Sequence, residues 1–418
     1  MRWKSILNRV ERYKYFVYER DRWAQDEAGE LSLQIEIRPR AHSRPQCSGC
    51  GETGPGYDTL PQRAFEYVPL WGIRVFLLYA PRRVECGRCG VRVEKMPWAE
   101  GKQTLTRSYM QFLATWARRV SWQEVARFFH TSWEQVFRSV SWMVEWGLAH
   151  RELTGIRALG IDEVLFHRGH RYLTVVYQID AQAKRLLWVG VERTSQTLLR
   201  FFRFFGKERA AQLRFICSDL WQPYLKVVKK KAGQALHVLD RFHVVMNLNK
   251  AVDQVRAQEV KELKEKGLEP ILTHSRWCVL KRRENLTEKQ EIKLADLLRC
   301  NLKTTRAYLL KEDFQFFWSF RGVLWARRFL KGWYQRALCS RIEPMKKVAR
   351  MLGDHQPLLL NWFRAEKQIS GGVIEGLNSR LKLTLRKSYG FRTFRAEEIA
   401  LYHTLGALPE PEWTHKFC

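Results

Sequence analysis

The stretch "RALGIDEVLFHRGHRYLTVVYQIDAQAKRLLWVGVE", residues 157–192, decides the fold. Three runs rich in branched and aromatic residues are separated by short polar connections, the pattern of an antiparallel meander. Asp162 stands in the middle of the first run. Working outward, "SQTLLRFFRFFG" (195–206) spaces its apolar residues as an amphipathic helix does. "LRFICSD" (213–219) is a short buried strand ending on Asp219, and "WQPYLKVVKKKAG" (221–233) is helical again. "ALHVLD" (235–240) is a fifth strand, and "RFHVVMNLNKAVDQVR" (241–256) opens a further helix.

The order β-β-β-α-β-α-β-α is that of an RNase H-like α/β fold. There the middle of the first strand and the end of the fourth lie side by side, so Asp162 and Asp219 should be neighbours. Two like charges buried together are costly unless a cation neutralises them. Two Mg²⁺ (or Mn²⁺) ions about 3.5–4 Å apart would do so and form a clamp for in-line phosphoryl transfer. A third acid is expected on a helix crossing the sheet. In "IEGLNSRLKLTLRK" (374–387), Ile374, Leu377, Leu381 and Leu385 fall in one stripe, and Glu375, Ser379, Lys382 and Arg386 in another. Glu375 is the candidate third ligand, with Lys382 and Arg386 beyond it to hold phosphates of bound DNA. The competing reading is a solvated face on which Glu375 only supports the helix.

Composition points the same way. The 418 residues carry 73 Lys and Arg against 43 Asp and Glu, a formal +30 with pI near 10.0. That excess runs along most of the chain, and a globular protein this cationic calls for a polyanion, nucleic acid by default. An anionic membrane surface is the rival, weakened by the lack of a long basic amphipathic arm. No run of eighteen apolar residues occurs, and "MRWKSILNRVERYKYF" is broken by charge, so a cytoplasmic, nucleoid-associated protein is expected.

Nine cysteines fit a reducing compartment, and four form two C-x-x-C pairs, Cys47/Cys50 and Cys86/Cys89. Each pair brings two thiolates to one side of a tight turn, and two pairs supply the four soft corners of a structural Zn²⁺ site. Four buried thiols, or a redox pair, are the alternatives; redox motifs do not come in pairs. "SWQEVARFFHTSWEQVFRSVSWMVEWGL" (121–148) fits a helix-turn-helix with Val125, Ala126, Phe129, Val136 and Val140 inward. Its second helix would start near Ser132 and present Arg138 outward, making both candidate DNA contacts. His130 occupies a turn position where glycine is commonest, and an ordinary packed helical pair is the alternative.

The motifs "GIDE" (160–163), "SDLWQPY" (218–224), "HVLDRFHVV" (237–245) and "IEGLNSRLKLTLRKSYGFRTF" (374–394), with the cysteine pairs and "KMPWAEGKQTLT" (95–106), resemble the DDE transposases of bacterial insertion sequences in the ISL-three family. The likeness runs in order from about residue 40 to about residue 405. It implies Asp162, Asp219 and Glu375 as the catalytic, metal-binding triad. It also implies that the long interval between the last two holds an all-helical insertion, opened by the D-x-x-H of Asp240 and His243. These two are placed behind the metal ligands. Glu163 should point to the opposite strand face, away from the site, and Asp180 should be a turn acid.

The expected organisation is a zinc-binding module (1–100), a helix-turn-helix-like segment (101–150), an RNase H-like core in two parts (151–240 and 371–418) and the helical insertion between them (241–370). The expected activity is binding of terminal inverted repeats, hydrolysis to free a 3′-OH, and joining of that hydroxyl to target DNA by a homodimer or larger assembly. Two other readings share these residues: a DNA-binding regulator without catalysis, and a metal-dependent nuclease that cuts without joining.

Overall fold

The computed structural model describes residues 3–25, 29–167, 171–268, 271–368, 371–387 and 391–412. The chain forms two compact units, Met1–Glu152 with Leu383–Cys418, and Leu153–Lys382. The fold is mixed α/β.

The first unit holds strands β1 (Phe16–Gln25), β2 (Leu31–Pro39), β3 (Gly56–Thr59), β4 (Arg63–Leu70), β5 (Ile73–Tyr79), β6 (Arg82–Cys86) and β7 (Gly90–Val93). They make a four-stranded sheet in the order β1-β2-β5-β4 and a three-stranded sheet in the order β3-β6-β7. Trp98 is fully buried within the unit, its ring edged by Tyr13, Phe16, Phe65 and Tyr79. Between the two cysteine pairs, β4 and β5 form a hairpin that belongs to the larger sheet. The proline-free stretch after residue 103 is three helices, Arg107–Ala117, Trp122–Phe128 and Trp133–His150. Ser121 and Glu124 form a capping box at the second helix, and the Ser132 hydroxyl accepts from the Gln135 N–H at the third. Such caps satisfy amides that would otherwise lack partners.

The second unit is built on one five-stranded sheet, β10-β9-β8-β11-β12, formed by β8 (Ala158–His167), β9 (Arg171–Asp180), β10 (Ala183–Val191), β11 (Phe215–Ser218) and β12 (Leu236–Leu239). The first three strands are antiparallel, while β11 runs parallel to both β8 and β12. Odd-numbered residues of β8, Leu159 and Ile161, pack with Leu198, Phe201, Phe205, Tyr224 and Val228 from helices Ser195–Phe205 and Gln222–Lys231. The even-numbered face meets helix Gly371–Lys387: a Cβ at Gly160 would lie 2.7 Å from Ile374. Alternation along the strand thus gives its two faces different partners.

Residues 241–368 are helical wherever regular structure occurs among the described residues, beginning with the 25-residue helix Arg241–Glu265. Glu259, buried in that helix, accepts from the amides of Lys303 and Thr304 and so caps helix Lys303–Gln315. Of the aromatic run 314–338, Phe314, Phe317, Trp318 and Trp333 are core, whereas Phe316 and Trp325 are exposed.

Candidate active site and metal centre

The register of the parallel strands places the acids. Phe215 of β11 pairs with Ala158 of β8 and Leu236 of β12, and Cys217 pairs with Gly160 and Val238. Continued by two residues, the same row brings Asp162, Asp219 and Asp240 to corresponding positions on three adjacent strands, about 4.7–4.9 Å apart per strand. Gly160 and Asp162 share a strand face, which is why the helix bearing Ile374 one turn earlier brings Asn378 onto the carboxylate. The Asn378 amide donates to Asp162 Oδ2 at 2.5 Å, and the buried Tyr177 hydroxyl donates to Asn378 Oδ1 at 2.8 Å. The other oxygen of Asp162 lies 3.5 Å from His243 Nε2, which is also 4.0 Å from Asp240. Burial pulls the imidazole's pKa down, but the hydrogen bond and charge of Asp162, with Asp240 and Asp219, outweigh it and the pKa is raised.

Asp219 closes an Asx-type turn, accepting from the Trp221 N–H at 2.8 Å. Its other oxygen takes Arg193 at 3.3 Å, and the Arg193 guanidinium lies over the Trp221 ring. Both Asp219 and Asp240 are raised above the usual carboxylate range, chiefly by burial, with the Asp162 charge adding to it. Asp240 caps helix Arg241–Glu265 through the Phe242 N–H, and its carboxylate lies so close to Gly371 that a Cβ there would collide with it. Only glycine permits that approach.

Glu375 is exposed in the second turn of its helix. It lines a cleft of about 290 Å³ with Asp240, Arg241, Arg282, Trp362 and Gly371. Lys382 and Arg386 are exposed farther along the same helix. Asp162, Asp219 and Glu375 do not gather as tightly as a single-ion cage. Among the described residues, the four cysteines are the one group of three or more metal-binding side chains whose donor atoms all lie within 4.8 Å of one another.

Glu163 differs from expectation. Alternation does turn it to the other strand face, yet Arg193 reaches it at 2.5 Å while also holding Asp219. Burial, with the Asp219 charge adding, pushes its carboxyl up to about 7. It is therefore linked to the acid row. Arg193, Tyr177 and Asn378 were not singled out by the sequence. Its place at the edge of the stripe that carries Glu375 and the cations is the one sequence signal for Asn378, and nothing local marks Arg193. Asp180 accepts from the Arg157 amide and the Gln178 side chain at the strand end, a structural position.

In the first unit, Cys47, Cys50, Cys86 and Cys89 converge around Val84. Cys86 ends β6 and Cys89 lies in the β6–β7 turn, while an isolated bridge ties Cys47 to Glu94 just beyond β7. The amides of Cys50 and Gly49 hold the Cys47 thiol down to about 7, and hydrogen bonding to its neighbour Cys50 pushes Cys89 up to about 12. Four thiols at this spacing, one already inclined to ionise, fit a soft divalent ion such as Zn²⁺.

The helical pair matches the inward set in detail: Val125, Ala126, Val136 and Val140 are buried, and Phe129 packs on Phe112 and Trp116. His130 takes φ 49°, the left-handed conformation that explains why glycine is usual there. Ser132 and Arg138 are exposed. No helix among the described residues is long and apolar enough to cross a membrane.

The model of the ISL3 family of DDE transposases, described as a transposase, matches residues 159–399. The chain is 28% identical to the transposase for insertion sequence element IS1001 of Bordetella parapertussis over 392 residues, 93% of this chain and 95% of that protein. It is also 28% identical to the transposase for insertion sequence element IS1557 of Mycobacterium tuberculosis over 410 residues, 92% and 91% of the two chains. The match spans the sheet with its acid row, the helical segment and the helix bearing Glu375, and the chain belongs to the ISL3 transposase family.

Proposed function

We propose that the second unit is an RNase H-like core interrupted by a helical insertion, and that Asp162, Asp219 and Glu375 are its catalytic, metal-binding acids. The strand order, third-second-first-fourth-fifth with the last two parallel to the first, supports the fold reading. The observation that carries the site is the register row that aligns Asp162 and Asp219 on adjacent strands, beneath the helix bearing Glu375. The Asp219 and Asp240 carboxyls, raised chiefly by burial with the Asp162 charge adding, form a desolvated group of acids that divalent cations would hold in the ionised form. Held there, Mg²⁺ or Mn²⁺ would supply Lewis acidity at the scissile phosphate. Carboxylates spread over more than one ion's shell suit a pair of ions better than a single tight cage.

The chain's own residues do the positioning. Asn378, fixed by Tyr177, and His243 orient the two oxygens of Asp162. The Trp221 amide and Arg193 orient Asp219. Asp240 and His243 stand behind these groups. Lys382 and Arg386 hold backbone phosphates of the strand being cut. In hydrolysis a water oxygen bonds to phosphorus, the P–O3′ bond breaks, and the 3′ oxygen leaves with a proton as a free hydroxyl. In joining, that hydroxyl replaces water and target DNA supplies the leaving 3′ oxygen.

The four cysteines would hold one structural Zn²⁺. With the helical pair, through Ser132 and Arg138, this module reads terminal inverted repeats in duplex DNA. Action at two ends calls for a homodimer or larger assembly working in the cytoplasm. Incubating the chain with Mg²⁺, pre-cut ends carrying a free 3′-OH and a plasmid target tests the joining step. Joined product is expected. Cutting without joining would favour a simple nuclease, and binding alone a regulator.

A further inference from the structure

The face of the sheet opposite the acid row is covered by helices Ser195–Phe205 and Gln222–Lys231. Their inner stripes are apolar and buried. Their outer surface is cationic: Arg200, Arg203, Lys226, Lys229, Lys230 and Lys231 are all exposed. From residue 195 to residue 231 the chain has nine Lys and Arg but two acids, Glu208 and Asp219, and Asp219 is committed to the strand end. Among the described residues, none of these six cations forms an ion pair.

Elsewhere in the same unit, some surface cations have carboxylate partners. In the helical segment Lys303 pairs with Glu262, Arg283 with Glu291, Arg336 with Asp313 and Arg350 with Glu343. The two covering helices omit such partners altogether. A cation in a last helical turn complements the backbone dipole, and one or two there would suffice. Six unpaired cations on one outer surface repel each other and cost stability unless a polyanion meets them.

We propose that these helices form a second, sequence-independent surface for duplex DNA, on the reverse side of the sheet from the acids. The inference rests on the DNA-handling reading for the identity of the polyanion alone. Lysines and arginines on two helices that hold no carboxylate suit phosphate contacts, which carry no sequence information directly. The surface would hold DNA that the acid face does not, such as target or flanking duplex.

The test is a titration read by fluorescence anisotropy with a 40-base-pair duplex of arbitrary sequence, over a range of salt. The titration uses the full chain without added divalent metal, so cleavage plays no part and an error in assigning the catalytic residues leaves the result unaffected. Into that chain go Arg200→Gln, Arg203→Gln, Lys229→Gln, Lys230→Gln and Lys231→Gln together. Because these positions are exposed and their mutual repulsion is relieved, a melting temperature no lower than the parent's is expected. The slope of log affinity against log salt should become shallower by about 4, and affinity near 0.1 M salt should fall roughly tenfold or more. A slope and affinity equal to the parent's would overturn the proposal. So would a loss of polyglutamate binding with duplex binding intact, which would assign the surface to an acidic protein instead. Lys382→Gln with Arg386→Gln, altered on the other face, gives the comparison: losses from the two sets should add.

Discussion

Asn378 is the side chain on which the acid site turns. It joins the helix to the sheet by giving its amide to Asp162 and taking the Tyr177 hydroxyl. Asn378→Ala leaves that buried hydroxyl without an acceptor, a loss of about 1–3 kcal/mol that urea unfolding would detect. It also frees Asp162 to rotate, and the Mg²⁺ concentration for half-maximal cleavage should rise about 10–100-fold, as it does when groups that orient metal ligands are lost. Gly160→Ala tests the same joint from the sheet side. The new methyl would meet Ile374 at 2.7 Å, and overpacking of this kind costs about 1–3 kcal/mol. At this scale the sequence was partly legible. Asp162 and Asp219 could be paired from strand order because parallel register is regular. Arg193 could not be found, since it reaches Asp219 and Glu163 from a loop after β10 and no period in the sequence encodes that reach. For the same reason Glu163 was read as remote: alternation fixes where a side chain starts, not which long cation meets it.

At the scale of elements, hydrophobic period and capping chemistry carried most of the information. The second helix of the helix-turn-helix-like pair begins where Ser132 can accept the Gln135 amide, and Ser132→Ala should cost about 0.5–2 kcal/mol in thermal or urea unfolding. The cysteine module behaves as another unit. Its core among the cysteines is small, so its order would depend on the ion the thiols hold. Cys86→Ser should reduce bound zinc from one per chain to near zero by atomic absorption, and should weaken binding to terminal repeats more than binding to arbitrary duplex. What the sequence concealed here was β1 and the ownership of hairpin β4–β5. Polar β1, "FVYERDRWAQ", is largely exposed on an edge of its sheet, so neither alternation nor burial marks it strongly. The hairpin between the cysteine pairs builds the larger sheet because its apolar residues Phe65 and Tyr79 pack on Trp98, which follows the second pair and lies outside the cysteine cluster.

For the whole molecule, charge and topology tell one story. The +30 excess is cancelled at a few surface ion pairs and, among the described residues, is left open at many positions, including the helices behind the sheet and Lys382 and Arg386. Membership of the ISL3 transposase family gives this excess a partner, and the strand order gives its acids a place. The most direct measurement is anomalous scattering from Mn²⁺ in crystals of the chain bound to a pre-cut, 3′-OH-bearing DNA end. The account predicts two peaks about 3.5–4 Å apart, at least one shared by Asp162 and Asp219 and one within bonding distance of Glu375. Peaks that leave Asp219 or Glu375 without a metal contact, in a complex that still joins DNA, would contradict it.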